Sequence, residues 1–186
     1  MKLTLVTSNI HKAREVAASF GEMCEIGHVA LEIPELRSDD VCEIARGKAI
    51  FAFDELRIPV IVDDTGFFID ALEGFPGPYA AYVMKTIGNG GILRLMEEEK
   101  DRNAHFITAI AYADSQGVRI FSGTINGRIT HAPRGSGGFG YDPIFETGGK
   151  TLAELSLEEK SRVSHRAIAL ASFRDWITDP CQRDRR

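Results

Sequence analysis

The chain has 186 residues, 44% hydrophobic and 26% charged, a balance that suits a soluble globular protein with length for a sizeable core in one domain or two closely packed lobes. Its net charge of −5 argues against a general nucleic-acid or anionic-membrane surface, so an anionic ligand must meet basic residues gathered locally. No apolar run is long enough to span a membrane and Met1-Lys2-Leu3-Thr4 does not read as a signal peptide. Cys24, Cys42 and Cys181 are odd in number and scattered, with no CxxC, so a cytoplasmic protein with reduced thiols is expected.

In chain order, residues 2–7 alternate as a strand and 11–20 read as a helix stopped by Gly21. A second strand is predicted over 24–33, broken by Pro34; Asp39-Asp40 then caps a helix through Leu56, with Val41, Ala45, Ala49, Ala52, Phe53 and Leu56 apolar. The run Pro59-Val60-Ile61-Val62 suits a strand covered on both faces, ending abruptly in Asp63-Asp64-Thr65-Gly66, with another strand over 67–71. A turn-rich EGFPGPYAAY segment and a helix over 91–99 come next. Strands over 105–113 and 118–129 are joined by the hairpin signal Asp114-Ser115-Gln116-Gly117. HAPRGSGGFGYDP is a glycine-rich loop between strands, and Ser164 caps a last helix to Ile177. The order predicts an α/β architecture with a mixed sheet.

Four places carry chemistry. TSNIHK is either a plain helix cap built on Ser8 or Asn9, or an anion site made from helix N-terminal amides with Lys12 in the first turn; it lacks the glycines of a Walker loop. VIVDDTGFF ends a buried strand in adjacent carboxylates. Such groups need solvent, partners or a metal; in a regular strand Asp63 and Asp64 point to opposite faces, but a strand end turning through Gly66 relaxes that. In PRGSGGFGYDP the glycines allow close backbone approach while Phe139 and Tyr141 offer faces on which a base could stack; a mobile hairpin loop is the rival. In EEKSRVSHRA, His165 at a helix N-terminus favours neutral imidazole, able to accept one hydrogen bond and donate another, with Lys160 and Arg166 nearby.

Six blocks stand in one order: T-S-N-x-x-K at Thr7–Lys12, I-P-E at Ile33–Glu35, V-D-D-T-G at Val62–Gly66, G-x-P-G-x-Y at Gly74–Tyr79, P-R-G…F-G-Y-D at Pro133–Asp142 and E-K…S-H-R at Glu159–Arg166. Together they resemble the inosine triphosphate pyrophosphatase, or Ham1-like, family of non-canonical purine nucleotide pyrophosphatases. The resemblance implies hydrolysis of ITP, dITP and XTP to the monophosphate and pyrophosphate, with Mg²⁺ and as a homodimer. It also implies an elongated mixed β-sheet flanked by helices, with residues 1–179 in two lobes around a central cleft. The polar stretch 180–186 matches nothing in the family pattern and is expected, from its composition, to be a disordered tail.

Carried over by position, Thr7, Ser8, Asn9, Ile10, His11, Lys12 and Lys48 would hold the phosphates. Glu35 and Asp64 would be associated with the metal, Asp64 also standing where the general base is assigned, with Asp63 a further metal-associated carboxylate. Thr65 keeps the hydroxyl of the serine common in bacterial relatives. Phe139, Gly140, Tyr141, Asp142, Lys160, His165 and Arg166 would surround base and sugar. The implied mechanism is attack of water on the α-phosphorus with Asp64 taking the proton and Lys12 and Lys48 stabilising the leaving pyrophosphate. Two rivals stand beside it: a Maf-like pyrophosphatase of pyrimidine nucleotides, and a nucleotide-binding module without turnover.

Overall fold

A computed structural model of the chain describes residues 2–21, 24–34 and 36–179. The apolar alternation at the start forms β1 (Lys2–Val6), and α1 (Ile10–Phe20) ends where Gly21 takes a φ of 51° that side chains resist. β2 (Glu25–Val29) precedes α2 (Val41–Leu56), whose first turn is capped by Asp40 accepting the Cys42 amide at 2.7 Å. β3 (Val60–Ile69), β4 (Pro76–Gly77), α3 (Ala80–Thr86) and α4 (Gly88–Leu95) come next. The long hairpin is β5 (Asn103–Asp114) with β6 (Gly117–Ile129). β7 (Phe145–Thr147), β8 (Lys150–Thr151), α5 (Leu157–Val163) and α6 (His165–Thr178) complete the described chain.

The strands form one mixed sheet in the order β2-β1-β3-β5-β6-β7-β8, with β4 paired to β3; β1 is parallel to β2 and β3, the other pairs antiparallel. Alternation sends Leu3, Leu5, Ile61 and Ile110 to the face covered by α1 and α6, where Val16, Leu170 and Phe173 bury against them. The opposite face packs Val6, Val60, Val62, Ala109 and Ala111 under Val41, Ala45, Ala49 and Ala52 of α2. A third cluster, further along β3, β5 and β6, joins Phe67, Phe106, Ile125, Tyr141 and Phe145 to Val83, Ile92 and Met96. A fully buried side chain of this size contributes roughly 1.5–3 kcal/mol, so each cluster holds its helices firmly.

One difference from the sequence expectation matters for function. The predicted strand end at Asp63-Asp64-Thr65-Gly66 is not an end: β3 runs unbroken for 10 residues. β5 pairs with it from Val60↔Ala113 to Ile69↔Ala104, and that ladder keeps the polar residues extended. On the other edge, β1 stops at Val6↔Val62 and β4 begins at Phe67↔Gly77. Between them β3 has no strand partner on that edge among the described residues, which leaves a notch. Gly66 is constrained there by crowding: a Cβ would lie 2.8 Å from Val41 Cγ2 and 2.6 Å from the Phe68 ring.

Smaller differences have simple causes. β2 stops at Val29 because its partner β1 ends opposite it at Val6, and 30–34 carry no regular structure. The helix predicted over 91–99 starts earlier, at Gly88. α3 and α5 have seven residues each, too short for an apolar period to show, although the Ser156/Glu159 capping box before α5 was a legible start signal. The tail expectation for 180–186 lies outside the described residues. No helix among the described residues is long and apolar enough to cross a membrane.

Candidate active site

Because β3 stays extended, its side chains alternate without relaxation. Asp63 and Thr65 face α1 and α6, with Phe67 further along the same side in the third cluster, while Asp64 and Phe68 face α2. Asp63 and Asp64 therefore do not converge, contrary to the relaxed strand end anticipated from Gly66.

On the first face the charges alternate in a continuous chain from Lys12 to Asp142. Lys12 Nζ lies 2.6 Å from Asp63 Oδ1 and also donates to the Asp63 carbonyl at 3.1 Å. Arg166 Nε donates to Asp63 Oδ2 at 2.6 Å, and its Nη1 to Glu15 Oε2. Lys160 Nζ sits 2.6 Å from both Glu15 Oε1 and Asp142 Oδ2. Asp142 Oδ2 in turn accepts the Phe139 amide at 2.7 Å. Three cations thus meet three carboxylates, and all but Lys12 are residues less than 9% exposed. Burial alone would raise the Asp63 carboxyl; Arg166 and Lys12 overcome it and hold the group far below the usual carboxylate range. For Asp142 burial wins, and its carboxyl is raised despite Lys160. Burial opposes the charge of Arg166, but Asp63 and Glu15 lock the guanidinium in its protonated form.

A hydroxyl relay sits beside this chain. Thr65 Oγ1 accepts from Arg166 Nη2 at 3.1 Å and lies 2.7 Å from Thr108 Oγ1, which is 2.6 Å from His165 Nδ1. The His165 ring stacks on Phe106 at 4.7 Å. Burial first and the neighbouring Arg166 second push its pKa well below the ordinary value of 6.5, so the imidazole is neutral. Neutrality was anticipated from the helix terminus; its main cause is desolvation.

On the α2 face, Asp64 Oδ1 accepts from Lys48 Nζ at 2.6 Å, and Oδ2 bonds no described residue. Both side chains keep some solvent contact, 12% for Asp64 and 23% for Lys48. This pair is the accessible acid–base couple at the notch.

TSNIHK occupies the notch's near wall. Asn9 caps α1, its Oδ1 accepting the amides of His11 (3.0 Å) and Lys12 (3.3 Å), while Thr7 Oγ1 accepts the Asn9 amide at 3.1 Å. The cap therefore consumes amides assigned to an anion, and the exposed Ser8 and Ile10 retain theirs. Lys12, placed against the helix dipole, has its compensating anion inside the protein: Asp63. His11 is exposed and stacks on Phe139 at 5.1 Å, joining this wall to the glycine loop.

Of the two rings offered for base stacking, only Phe139 is accessible. It is half-buried, with Lys160 Nζ 4.7 Å and the Arg166 guanidinium 5.9 Å from its centroid. Tyr141 is core instead: its hydroxyl donates to the Ala80 carbonyl at 2.8 Å and its ring stacks on Phe67 at 4.5 Å. Gly140, with φ 64°, takes the left-handed turn between them and accepts from Asn89 Nδ2 at 3.0 Å. Glu35 lies outside the described residues.

Two site residues escaped sequence reasoning. Glu15 links Lys160 to Arg166 but reads as one more polar helix residue, since its partners are far along the chain. Thr108 was easier to find: in β5 it occupies a buried position in register with Ala104, Phe106 and Ile110, a hydroxyl where alternation demands an apolar side chain.

The Staphylococcus aureus Ham1 protein superposes with a TM-score of 0.84 at 28% identity, covering 96% of this chain and 98% of that one. A Coxiella burnetii HAM1 protein does so with 0.83 at 29%, covering 96% and 98%. The architecture is that of the Ham1 proteins. In sequence, the Ham1 family model matches residues 3–176. A Methanopyrus kandleri protein named dITP/XTP pyrophosphatase is 49% identical over 182 residues, 95% of this chain and 96% of its own. The chain belongs to the Ham1 family.

Proposed function

We propose that this chain hydrolyses the non-canonical purine nucleotides ITP, dITP and XTP to the monophosphate and pyrophosphate, cleansing the nucleotide pool. The observation that carries the reading is the Asp64–Lys48 pair at the notch of β3, in a chain 49% identical to a protein named for that activity. Asp64 takes a proton from the water attacking the α-phosphorus. Lys48 and Lys12 exchange their carboxylate partners for phosphate oxygens and stabilise the leaving pyrophosphate, with the Ser8 and Ile10 amides adding donors.

Mg²⁺ is part of the proposal. Among the described residues no three His, Cys, Asp or Glu side chains converge. A magnesium site beside a polyphosphate needs only one or two carboxylates, with water and phosphate oxygens completing the shell. Asp64, with Oδ2 available, fits that requirement; Glu35 is the proposed second carboxylate. Asp63 does not fit, because Arg166, Lys12 and Thr65 engage its oxygens. When bound, Mg²⁺ would supply charge neutralisation at the phosphates and a bound water.

The base stacks on Phe139 in exchange for His11. A 6-oxo purine meets donors from Lys160 and Arg166 where adenine presents an amino group, a mismatch costly in a desolvated site. A two-lobed homodimer in the cytoplasm completes the proposal, supported by the exposed aromatic run Phe75, Tyr79 and Tyr82, 43%, 49% and 69% accessible. The decisive experiment is incubation with ITP, XTP, dTTP, ATP and GTP plus Mg²⁺, identifying products. Pyrophosphate released from ITP and XTP ahead of the others is expected; orthophosphate, or preference for dTTP, overturns the assignment.

A further inference from the structure

A cavity of about 350 Å³ lies away from the notch, at the far end of β6, lined by Arg102, Arg128, Thr130, His131, Arg134 and Glu146 among others. Three guanidiniums and one carboxylate around one cavity is a local excess of positive charge in a chain of net charge −5. Arg102 is only 5% exposed, yet among the described residues it bonds no carboxylate. Its Nε, Nη1 and Nη2 donate to the carbonyls of Ile129 (2.7 Å), Met96 (2.7 Å) and Thr130 (2.8 Å). Carbonyl dipoles offset part of its charge, but none carries a full negative charge, and two of the five guanidinium donors remain. Burial and the charge of Arg128 both press against protonation of Arg102.

Arg128 stands directly across from Glu146 in the β6–β7 register, where a cross-strand ion pair is the ordinary outcome. Glu146 instead bonds Arg134 at 2.5 Å, and Arg128 has no carboxylate within ion-pair reach among the described residues. Two cations thus face one cavity with the nearest acid already engaged.

We propose that this cavity binds a phosphate-class oxyanion, held by Arg128 and the remaining donors of Arg102. Planar guanidiniums match such oxyanions in charge and geometry. The site stands at the root of the loop carrying Phe139, and it is independent of the catalytic reading.

The test is calorimetric titration of the full chain with inorganic phosphate, pyrophosphate and a nucleoside monophosphate, in chloride buffer. It compares wild type, Arg128→Gln and Lys48→Gln. Arg128→Gln is expected to weaken binding of at least one of these anions by about tenfold or more, the loss of a charged hydrogen-bonding partner. Lys48→Gln, altered only at the notch, weakens any notch component but retains the Arg128-dependent one; the anion most weakened by Arg128→Gln identifies the ligand. Unchanged affinities in Arg128→Gln, loss in Lys48→Gln alone, or no binding through about 10 mM overturns the proposal. The substrate panel can fail while this binding persists, and the reverse, so the two readings separate.

Discussion

Asp63 and Asp64 are adjacent in sequence, chemically identical and comparably buried, yet the sheet assigns them opposite situations. Asp63 faces the helices of α1 and α6, where two cations and a hydroxyl engage it. Asp64 faces α2, where one lysine engages one oxygen and the other bonds no described residue. The contrast shows how a pleat divides labour: a carboxylate whose valences are filled fixes geometry, and one left partly unfilled is available for a proton, a water or a metal. Neither task needs a different residue type, only a different side of the same strand.

The largest effect that could break this division is on turnover. Asp64→Asn is expected to lower kcat for ITP by about 10²–10⁴ while leaving nucleotide binding and the fold in place, measured by pyrophosphate release and calorimetry. Near-normal turnover would remove Asp64 from the chemistry. The matching change on the other side, Asp63→Asn, should act on stability. It leaves Arg166 short of charge in a buried site, a loss of about 3–5 kcal/mol in urea unfolding, against much less for Asp64→Asn. Equal stability losses would show that the two faces are not distinct.

Much of the fold that frames the site is legible in the sequence. The strand–cap–helix start, the helix capped by Asp40, the long hairpin and the Ser164 cap all rest on local chemistry, and local chemistry is what a sequence displays. What was misread depended on partners remote in the chain. Nothing near Asp63 announces that β5 carries β3 through the acidic pair. Nothing near Lys12 reveals that its counterion is Asp63, 51 residues away, so a bound anion was the one compensation the sequence could offer for a lysine at the wrong end of a helix dipole. Tyr141 resembles Phe139 in sequence context; only the third core cluster distinguishes a packed ring from an offered one.

The smallest expected effect sharpens the contrast through pH. His165 is neutral when folded, its pKa held below 6.5, whereas in the unfolded chain it takes up a proton as pH falls through that value. The unfolded state then binds more protons, so this residue's contribution to stability declines below about pH 6.5, by up to about 1.4 kcal/mol per pH unit, until the folded pKa is reached. In His165→Gln that decline is removed, and the fall in unfolding free energy between pH 7 and 5 becomes shallower. Identical slopes in the two proteins would place a protonated imidazole beside Arg166, and with it a different polarity for the Thr108 relay.

Gly66 has a consequence beyond its own backbone. Its missing Cβ lets Val41, the first residue of α2, settle against the strand. Lys48 rides on that same helix, seven residues on, and reaches Asp64 at 2.6 Å. The glycine therefore works as a spacer of zero thickness: the helix-to-sheet gap it permits sets the reach of the lysine. Position 66 tunes the reacting pair from a place that no substrate need touch.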